Sequence, residues 1–183
     1  AHDYYIDYLQ QYTSITPNTR ILEIGCGEGG NLLPFAQMGC TVKGIDISKT
    51  RISQARQFFN EEKMQAQFIC TDFINANKPQ CDNERYDIIL VHDVIEHIEP
   101  NNKTDFINNI KPFLKHDGIV FFGFPAWQNP FGGHQQITHG FASKLPFIHL
   151  LPNPIYRGLL RLSGAPQATI DELMSIKRSR MPI

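Results

Sequence analysis

The fold is decided by residues 20–30, which read Arg20-Ile21-Leu22-Glu23-Ile24-Gly25-Cys26-Gly27-Glu28-Gly29-Gly30. The apolar run at the start predicts a buried strand. The glycines after it allow a sharp turn and a close approach of the backbone to a ligand. Apolar residues at helical spacing follow Gly30 and predict a helix. A strand, a glycine-rich turn and a helix in this order are typical of an open α/β sheet that binds a ligand at the turn.

The same alternation continues outward from this stretch. Apolar runs predict four further strands, at residues 41–46, 66–70, 86–91 and 118–124. Helical periodicity predicts helices at residues 2–12, 30–38, 50–64 and 103–115, with two more at 154–162 and 168–179. Ser48 is the expected N-cap of the third of these helices, and Pro112 should distort the fourth. We therefore expect an α/β fold with a doubly wound, mostly parallel, Rossmann-like sheet.

Composition limits the possible partners. The chain has 183 residues and a net charge of −1, so nothing in its charge favours nucleic acid or an anionic membrane as a partner. We find no signal peptide and no apolar run of the roughly 20 residues that span a bilayer. The four cysteines form no Cys-x-x-Cys pair and favour a reducing, cytoplasmic location. The length fits one domain.

Acidic residues lie at the ends of three successive predicted strands: Glu23, Asp46 and Asp72. Glu23 would repel the pyrophosphate of a dinucleotide, but it can face the cationic amino group of S-adenosylmethionine. Asp46 lies about 20 residues downstream of the turn and can accept hydrogen bonds from ribose hydroxyls. Asp72, beside Phe73, suits an adenine. Each acid alone has an ordinary explanation as a cap, a turn residue or a paired acid, but together they favour S-adenosylmethionine as the cofactor.

In order along the chain, the segments 21–30, 44–48, 72–73 and 91–98 resemble the motifs of class I S-adenosylmethionine-dependent methyltransferases. The resemblance implies a sheet ordered 3-2-1-4-5 that an antiparallel hairpin normally closes. The strands of that hairpin are not visible, so either the C-terminus is truncated or the sheet is incomplete. The resemblance also implies cofactor contacts, which fall on Glu23, Gly25, Gly27, Gly29, Asp46, Ile47, Asp72, Phe73 and His92.

Residues 92–98, His92-Asp93-Val94-Ile95-Glu96-His97-Ile98, are similar to a motif in ubiquinone-biosynthesis O-methyltransferases and small-RNA 3′-end methyltransferases. That similarity implies a divalent metal (Mg²⁺, Mn²⁺ or Zn²⁺) bound by Asp93, Glu96 and His97. We expect these three residues to share one face of a helical turn. The alternative is that Glu96 and His97 only cap a helix, as they do in methyltransferases without a metal.

The C-terminal third carries the expected substrate side. His134 is the preferred general base and His97 the second candidate, while His134 or His139 could supply a fourth metal ligand. The apolar segment 141–162 favours a lid that encloses a hydrophobic small molecule or lies on a membrane surface. We expect one methyltransferase domain over 1–183, made of an N-terminal helix (1–19), a cofactor-binding core (20–125) and a substrate lid (126–183).

Together these features predict an enzyme that transfers a methyl group from S-adenosylmethionine to a small-molecule acceptor, with O-methylation the first choice. Two alternatives stay open from the residues alone. One is an NAD(P)-dependent oxidoreductase, which Glu23 argues against. The other is a non-catalytic subunit of the same fold that serves as a binding partner.

Overall fold

The computed structural model describes residues 2–124 and 126–180. Pro125, the last residue of the predicted core, therefore lies outside the described residues. The chain forms two compact units. The first comprises the residues up to 94 together with 104–123, and the second comprises 95–103 with the residues from 124 onward. The domain organisation predicted from the sequence stays a prediction.

The first unit is built on a five-stranded sheet. Its strands are β1 (Arg20–Ile24), β2 (Thr41–Asp46), β3 (Gln67–Cys70), β4 (Tyr86–His92) and β5 (Leu114–Gly123). Their order is β3-β2-β1-β4-β5, and all four neighbouring pairs are parallel. This confirms the expected sheet. The chain moves outward from β1 in both directions, so the carboxyl ends of β1, β2 and β4 flank the switch point where such sheets bind ligands.

The central strand β1 is buried almost throughout, as expected for a strand covered on both faces. Within it, Glu23 pairs with Gly44 of β2 and with Leu90 of β4. A carboxyl group is therefore placed in the middle of the sheet, among apolar strands. The register also places Asp46 beside Cys70 at the ends of β2 and β3.

Four helices accompany this sheet: α1 (His2–Leu9), α2 (Leu33–Gln37), α3 (Lys49–Glu61) and α4 (Lys103–Ile110). The N-cap prediction for α3 is confirmed, because Ser48 Oγ accepts a hydrogen bond of 3.3 Å from the amide nitrogen of Arg51. The helix predicted at 103–115 was too long. Pro112 lacks an amide hydrogen, so the chain tightens into a 3₁₀ turn (Lys111–Phe113) and then enters β5.

The described residues of the second unit contain α5 (Asn153–Leu162), α6 (Gln167–Arg180) and four 3₁₀ turns at 100–102, 135–137, 141–144 and 148–150. Both helices agree with the sequence prediction. Their apolar faces form a separate cluster with Ala142, Ile148, Tyr156, Leu160, Ile170, Leu173 and Met174. Among the helices of the described chain, none has the length and apolar character that crossing a membrane requires.

Candidate cofactor site

The glycine bend after β1 adopts a backbone conformation that side chains oppose. Gly25, Gly27 and Gly29 have φ angles of +73°, +52° and +81°, in the left-handed region that favours glycine. The amide nitrogen of Gly25 donates to the carbonyl oxygen of Ile45 at 2.7 Å, which ties the bend to β2. A Cβ atom on Gly25 would lie 2.3 Å from Val94 Cγ2. The bend is therefore fixed, and its backbone is bare.

Asp46 holds this bend from the end of β2. Its Oδ2 accepts a hydrogen bond of 2.9 Å from the amide nitrogen of Gly27, and its Oδ1 accepts one of 2.8 Å from the amide nitrogen of Ser48. Each carboxylate oxygen has a second lone pair. The structure thus brings together two residues predicted for the site, with acceptor capacity left for two hydroxyl groups.

Glu23 lies beneath the bend and is 1% exposed. Its Oε1 accepts a hydrogen bond of 2.8 Å from Asn31 Nδ2, whereas its Oε2 is buried without a hydrogen-bond partner in the structure. Burial raises the pKa of the Glu23 carboxyl to about 8; the Asn31 hydrogen bond opposes this shift and the charge of Asp46 adds to it. A bound cation favours the ionised form of this acid, and in that form the orphaned oxygen fits an ammonium group and repels a phosphate.

Asn31 belongs to the site and was missed by the sequence reasoning. It follows the glycine bend and comes shortly before α2, and its amide orients the Glu23 carboxyl. The only signal in the sequence is its place at the turn into a helix, where Asn is common for capping reasons alone. Its hydrogen bond to Glu23, a strand residue eight positions earlier, forms only once the bend is folded.

Cys26 lies within the bend and is buried. A Cβ atom on Gly44 of β2 would come within 2.5 Å of its Sγ, so the thiol fills the space that Gly44 leaves. Burial raises the pKa of the Cys26 thiol, and the nearby Glu23 and Asp46 raise it further. The thiol therefore stays protonated and packs as a small apolar group.

The two residues predicted at the adenine have different surroundings. Asp72 is exposed and caps a short 3₁₀ turn through a hydrogen bond of 3.1 Å from the amide nitrogen of Ile74 to Oδ1. Phe73 is buried against Phe106 and Phe113, with ring centroids 5.6 and 5.1 Å away. Its expected contact with an adenine stays a prediction. Ile47, directly after Asp46, is 74% exposed and offers an apolar surface there.

His92 ends β4 and is held on two sides. Its Nδ1 lies 3.2 Å from Asp93 Oδ2, and its ring meets Tyr5 edge-on with the centroids 5.5 Å apart. Asp93 has a φ of +52°, and its amide nitrogen donates to the carbonyl oxygen of Gly123 at 2.8 Å. Asp93 is thus directed toward its neighbour His92.

Glu96, His97 and His134 meet within the second unit. Glu96 is 1% exposed, and its Oε1 lies 3.6 Å from His134 Nε2. The rings of His97 and His134 have centroids 6.3 Å apart. His134 has a φ of +58°, which is uncommon for a residue with a side chain. Glu96 and His134 form a carboxylate–imidazole pair.

The helical turn expected at residues 93–97 is not observed. Asp93 takes a left-handed conformation, and residues 95–97 form a turn that does not continue as a helix. Within the described ranges, no group of three or more His, Cys, Asp or Glu side chains is arranged to hold a metal ion. The metal site implied by resemblance stays a prediction without support from side-chain placement. His139, the other expected ligand, is exposed.

The family described as "Methyltransferase domain" matches residues 21–118, more than half of the chain. Among curated proteins, the chain is similar to the ubiquinone biosynthesis O-methyltransferase of Actinobacillus pleuropneumoniae serotype 5b, with 31% identity over 120 residues covering 64% of this chain and 50% of that protein. The corresponding Bartonella tribocorum protein is 32% identical over 118 residues, covering 63% of this chain and 46% of its own length. The chain spans about half the length of these relatives.

Solved structures share the fold. An S-adenosylmethionine-dependent methyltransferase from Clostridium acetobutylicum superposes with a TM-score of 0.59 at 18% identity, covering 76% of this chain and 53% of that one. The magnesium protoporphyrin IX methyltransferase of Synechocystis, solved with bound S-adenosylmethionine, has a TM-score of 0.53 at 23% identity, covering 61% and 52%. At these identities the likeness concerns the arrangement of strands and helices.

Proposed function

Because this chain belongs to the methyltransferase domain family, we propose that the protein transfers a methyl group from S-adenosylmethionine to an oxygen atom of a small molecule. The observation that carries the proposal is the buried, unpartnered Oε2 of Glu23 beneath a bare glycine bend. An acid at that position favours an amino-acid cation and disfavours the pyrophosphate of NAD(P). The oxidoreductase alternative is not favoured.

The residues present fit this cofactor. Glu23 would receive the ammonium of the methionyl group, and the bare backbone of Gly25, Gly27 and Gly29 would lie against that group. Asp46 has free acceptor capacity for the ribose hydroxyls, and the exposed Ile47 would lie near the adenine. The cofactor supplies an electrophilic methyl group on a sulfonium, so the protein mainly has to orient the acceptor and exclude water.

His134 is our choice for the general base that accepts the proton of an acceptor hydroxyl. Glu96 lies 3.6 Å from its Nε2 and would stabilise the imidazolium that forms. The left-handed backbone at His134 is the kind of local strain that occurs at functional sites. His97, with its ring 6.3 Å away, is the second candidate.

An oxygen acceptor is supported by the two relatives described above, which are named as ubiquinone biosynthesis O-methyltransferases. Exposed apolar side chains in the segment 141–162, among them Phe141, Phe147 and Leu150, favour an acceptor with an apolar part. Divalent metal binding by Asp93, Glu96 and His97 remains the alternative way to activate a hydroxyl. Elemental analysis of the purified protein tests that alternative, and a stoichiometric metal would replace the His134 mechanism.

Calorimetric titration with S-adenosylhomocysteine and with NADH tests the cofactor. We expect the first to bind and the second not to bind. Glu23→Gln should lower the affinity for S-adenosylhomocysteine by about 10–100-fold, because a hydrogen bond to a charged group contributes roughly 1.5–3 kcal/mol. Glu28→Gln is the matched control: this exposed acid of the same bend should not affect binding. Binding of NADH together with no detectable binding of S-adenosylhomocysteine would contradict the proposal.

Methyl transfer itself distinguishes an enzyme from a non-catalytic binding subunit of the same fold. Catechol is a suitable probe acceptor, because it is small, has an apolar ring and carries an ionisable hydroxyl. Formation of S-adenosylhomocysteine that depends on added catechol would support the proposal. Cofactor binding without turnover on catechol or a panel of other phenols would favour the binding subunit.

A further inference from the structure

A cavity lies at the amino ends of the strands, within the first unit. Its volume is about 500 Å³, within the range of small-molecule sites. The first residues of β1, β3 and β4 line it, together with Lys43 of β2 and the loop at 77–80. None of the residues assigned above to the cofactor lines this cavity.

The charge of the lining is strongly positive. Arg20, Lys43 and Lys78 contribute three cations, whereas Glu84 is the single acid of the lining. Glu84 is already engaged, because its Oε2 accepts a hydrogen bond of 2.7 Å from the amide nitrogen of Gln80. The cavity therefore carries a formal surplus of about two positive charges, in a chain whose net charge is −1.

Lys43 is a cation of this lining whose positive charge is poorly compensated. It is half-buried on β2, where its neighbours in the ladder are Leu22 and Gln67. Among the described residues its ammonium makes no hydrogen bond or ion pair. Burial lowers the pKa of Lys43, repulsion by Arg20 lowers it further, and only Glu84 opposes the shift. An anion in the cavity would remove this unfavourable arrangement.

Arg20 is fixed in position for such a ligand. Its Nε donates a hydrogen bond of 3.1 Å to the carbonyl oxygen of Arg85, and its guanidinium lies 5.4 Å from the centroid of the Tyr86 ring. A held guanidinium loses little conformational entropy when it binds an oxyanion. The nearby carboxylate of Asp87 is neutralised by Lys115 at 2.9 Å and does not line the cavity.

We propose that this cavity binds a phosphate monoester of a small hydroxylated molecule, such as a sugar phosphate. The dianionic phosphate matches the surplus charge from Arg20, Lys43 and Lys78. The amides of Gln67, Asn77 and Gln80 line the same cavity and match hydroxyl groups, because an amide both donates and accepts.

Calorimetry at low ionic strength with ribose 5-phosphate, ribose and inorganic phosphate tests this. We expect ribose 5-phosphate to bind, ribose not to bind, and inorganic phosphate to bind at least about tenfold more weakly than the ester. Binding should weaken as salt screens the charges. Equal affinity for inorganic phosphate would overturn the assignment of a hydroxylated ligand, and no binding of ribose 5-phosphate at about 10 mM would overturn the site.

Two substitutions with opposite expected effects separate recognition from a loss of folding. Lys43→Gln should lower the affinity for ribose 5-phosphate by about tenfold or more, since it removes one of the few partly desolvated positive charges in the cavity. Glu84→Gln should tighten binding severalfold, because it removes the only acid and its side-chain oxygen can still accept from Gln80. Lys49→Gln, an exposed lysine at the start of α3, is the matched control and should change nothing. Equal losses in the Lys43 and Lys49 variants would overturn the proposal.

Saturating S-adenosylhomocysteine should leave the affinity for ribose 5-phosphate unchanged, because the two ligands use opposite ends of the strands. Displacement by S-adenosylhomocysteine would mean that the ester occupies the cofactor edge, and the proposal would fail. The measurements with ribose 5-phosphate alone do not depend on methyl transfer or on cofactor binding. The proposed function and this proposal can therefore fail separately.

Discussion

Three acids predicted at strand ends have three different environments. Glu23 is buried with one oxygen unpartnered, Asp46 is buried with both oxygens bonded to backbone amides, and Asp72 is exposed at a turn. The pKa of the Glu23 carboxyl is strongly raised, and burial is the main cause. The properties of each acid are therefore set by its burial and its hydrogen-bond partners. Neither can be predicted from the neighbouring residues in the sequence.

Glu23 should make the stability of the ligand-free protein depend on pH. The pKa of its carboxyl is about 8 in the folded chain and near 4.5 as a free group. The stabilisation of the protonated acid is complete below about pH 4.5 and is lost as pH rises to about 8. Relative to the wild type, the free energy of unfolding of the Glu23→Gln variant should rise by up to about 1.4 kcal/mol per pH unit across this window.

Urea unfolding at several pH values from 5 to 9 measures this difference. Glu28→Gln serves as the control, because an exposed acid of the same bend should follow the wild type at every pH. A free-energy difference between Glu23→Gln and the wild type that does not change with pH would show that the carboxyl is not desolvated in solution.

The elements themselves were largely predictable. Five apolar runs, the glycine bend and the Ser48 cap are local patterns, and the structure confirms them. Sequence reasoning is weaker where a distant contact decides. Phe73, predicted at the adenine, packs against Phe106 and Phe113 from later elements, which no local pattern indicates, and its contact with an adenine stays a prediction. The helical turn expected at 93–97 is absent, since Asp93 takes a left-handed backbone conformation with a φ of +52°.

The glycine bend offers a test at the scale of an element. Gly25→Ala should cost about 1–3 kcal/mol of stability and abolish S-adenosylhomocysteine binding, because its φ is +73° and the new Cβ would strike Val94. Gly30→Ala is the matched control in the same bend: its φ is not in the left-handed region and its Cβ would have nothing within 4 Å. Thermal unfolding and calorimetry report both effects, and equal behaviour of the two variants would contradict the fixed bend.

At the scale of the whole molecule, the residues proposed for cofactor binding and those proposed for catalysis belong to different units. The residues proposed for the cofactor lie in the first, while Glu96, His97 and His134 lie in the second, which has a core of its own. Apart from its two helices, the sequence predicted residues 126–183 only as a substrate lid, because the Pro, Gly and aromatic residues before the helices show no strand periodicity. Its buried Lys177, which donates to the carbonyl oxygens of His149 and Leu151, had no counterpart in that prediction.

This division predicts that binding and turnover can be separated. His134→Asn should keep the backbone conformation, because Asn tolerates a left-handed φ. It should lower the rate of methyl transfer at least about 100-fold, as expected for loss of a general base. The affinity for S-adenosylhomocysteine should stay within about twofold. His139→Asn, an exposed histidine of the same segment, is the control. Loss of cofactor affinity in His134→Asn would contradict the assignment.

The first unit is electrically polarised along its strands. Three acids lie at or just after the carboxyl ends of β2, β3 and β4, namely Asp46, Asp72 and Asp93. Three bases, Arg20, Lys43 and Lys78, line the cavity toward the opposite ends. S-adenosylmethionine has a net positive charge, whereas its demethylated product is neutral overall. Long-range electrostatic attraction to the acidic edge would therefore raise the association rate of S-adenosylmethionine. It would not raise the association rate of the neutral product, S-adenosylhomocysteine. Product inhibition should accordingly be weakest in dilute buffer and grow as added salt removes that advantage.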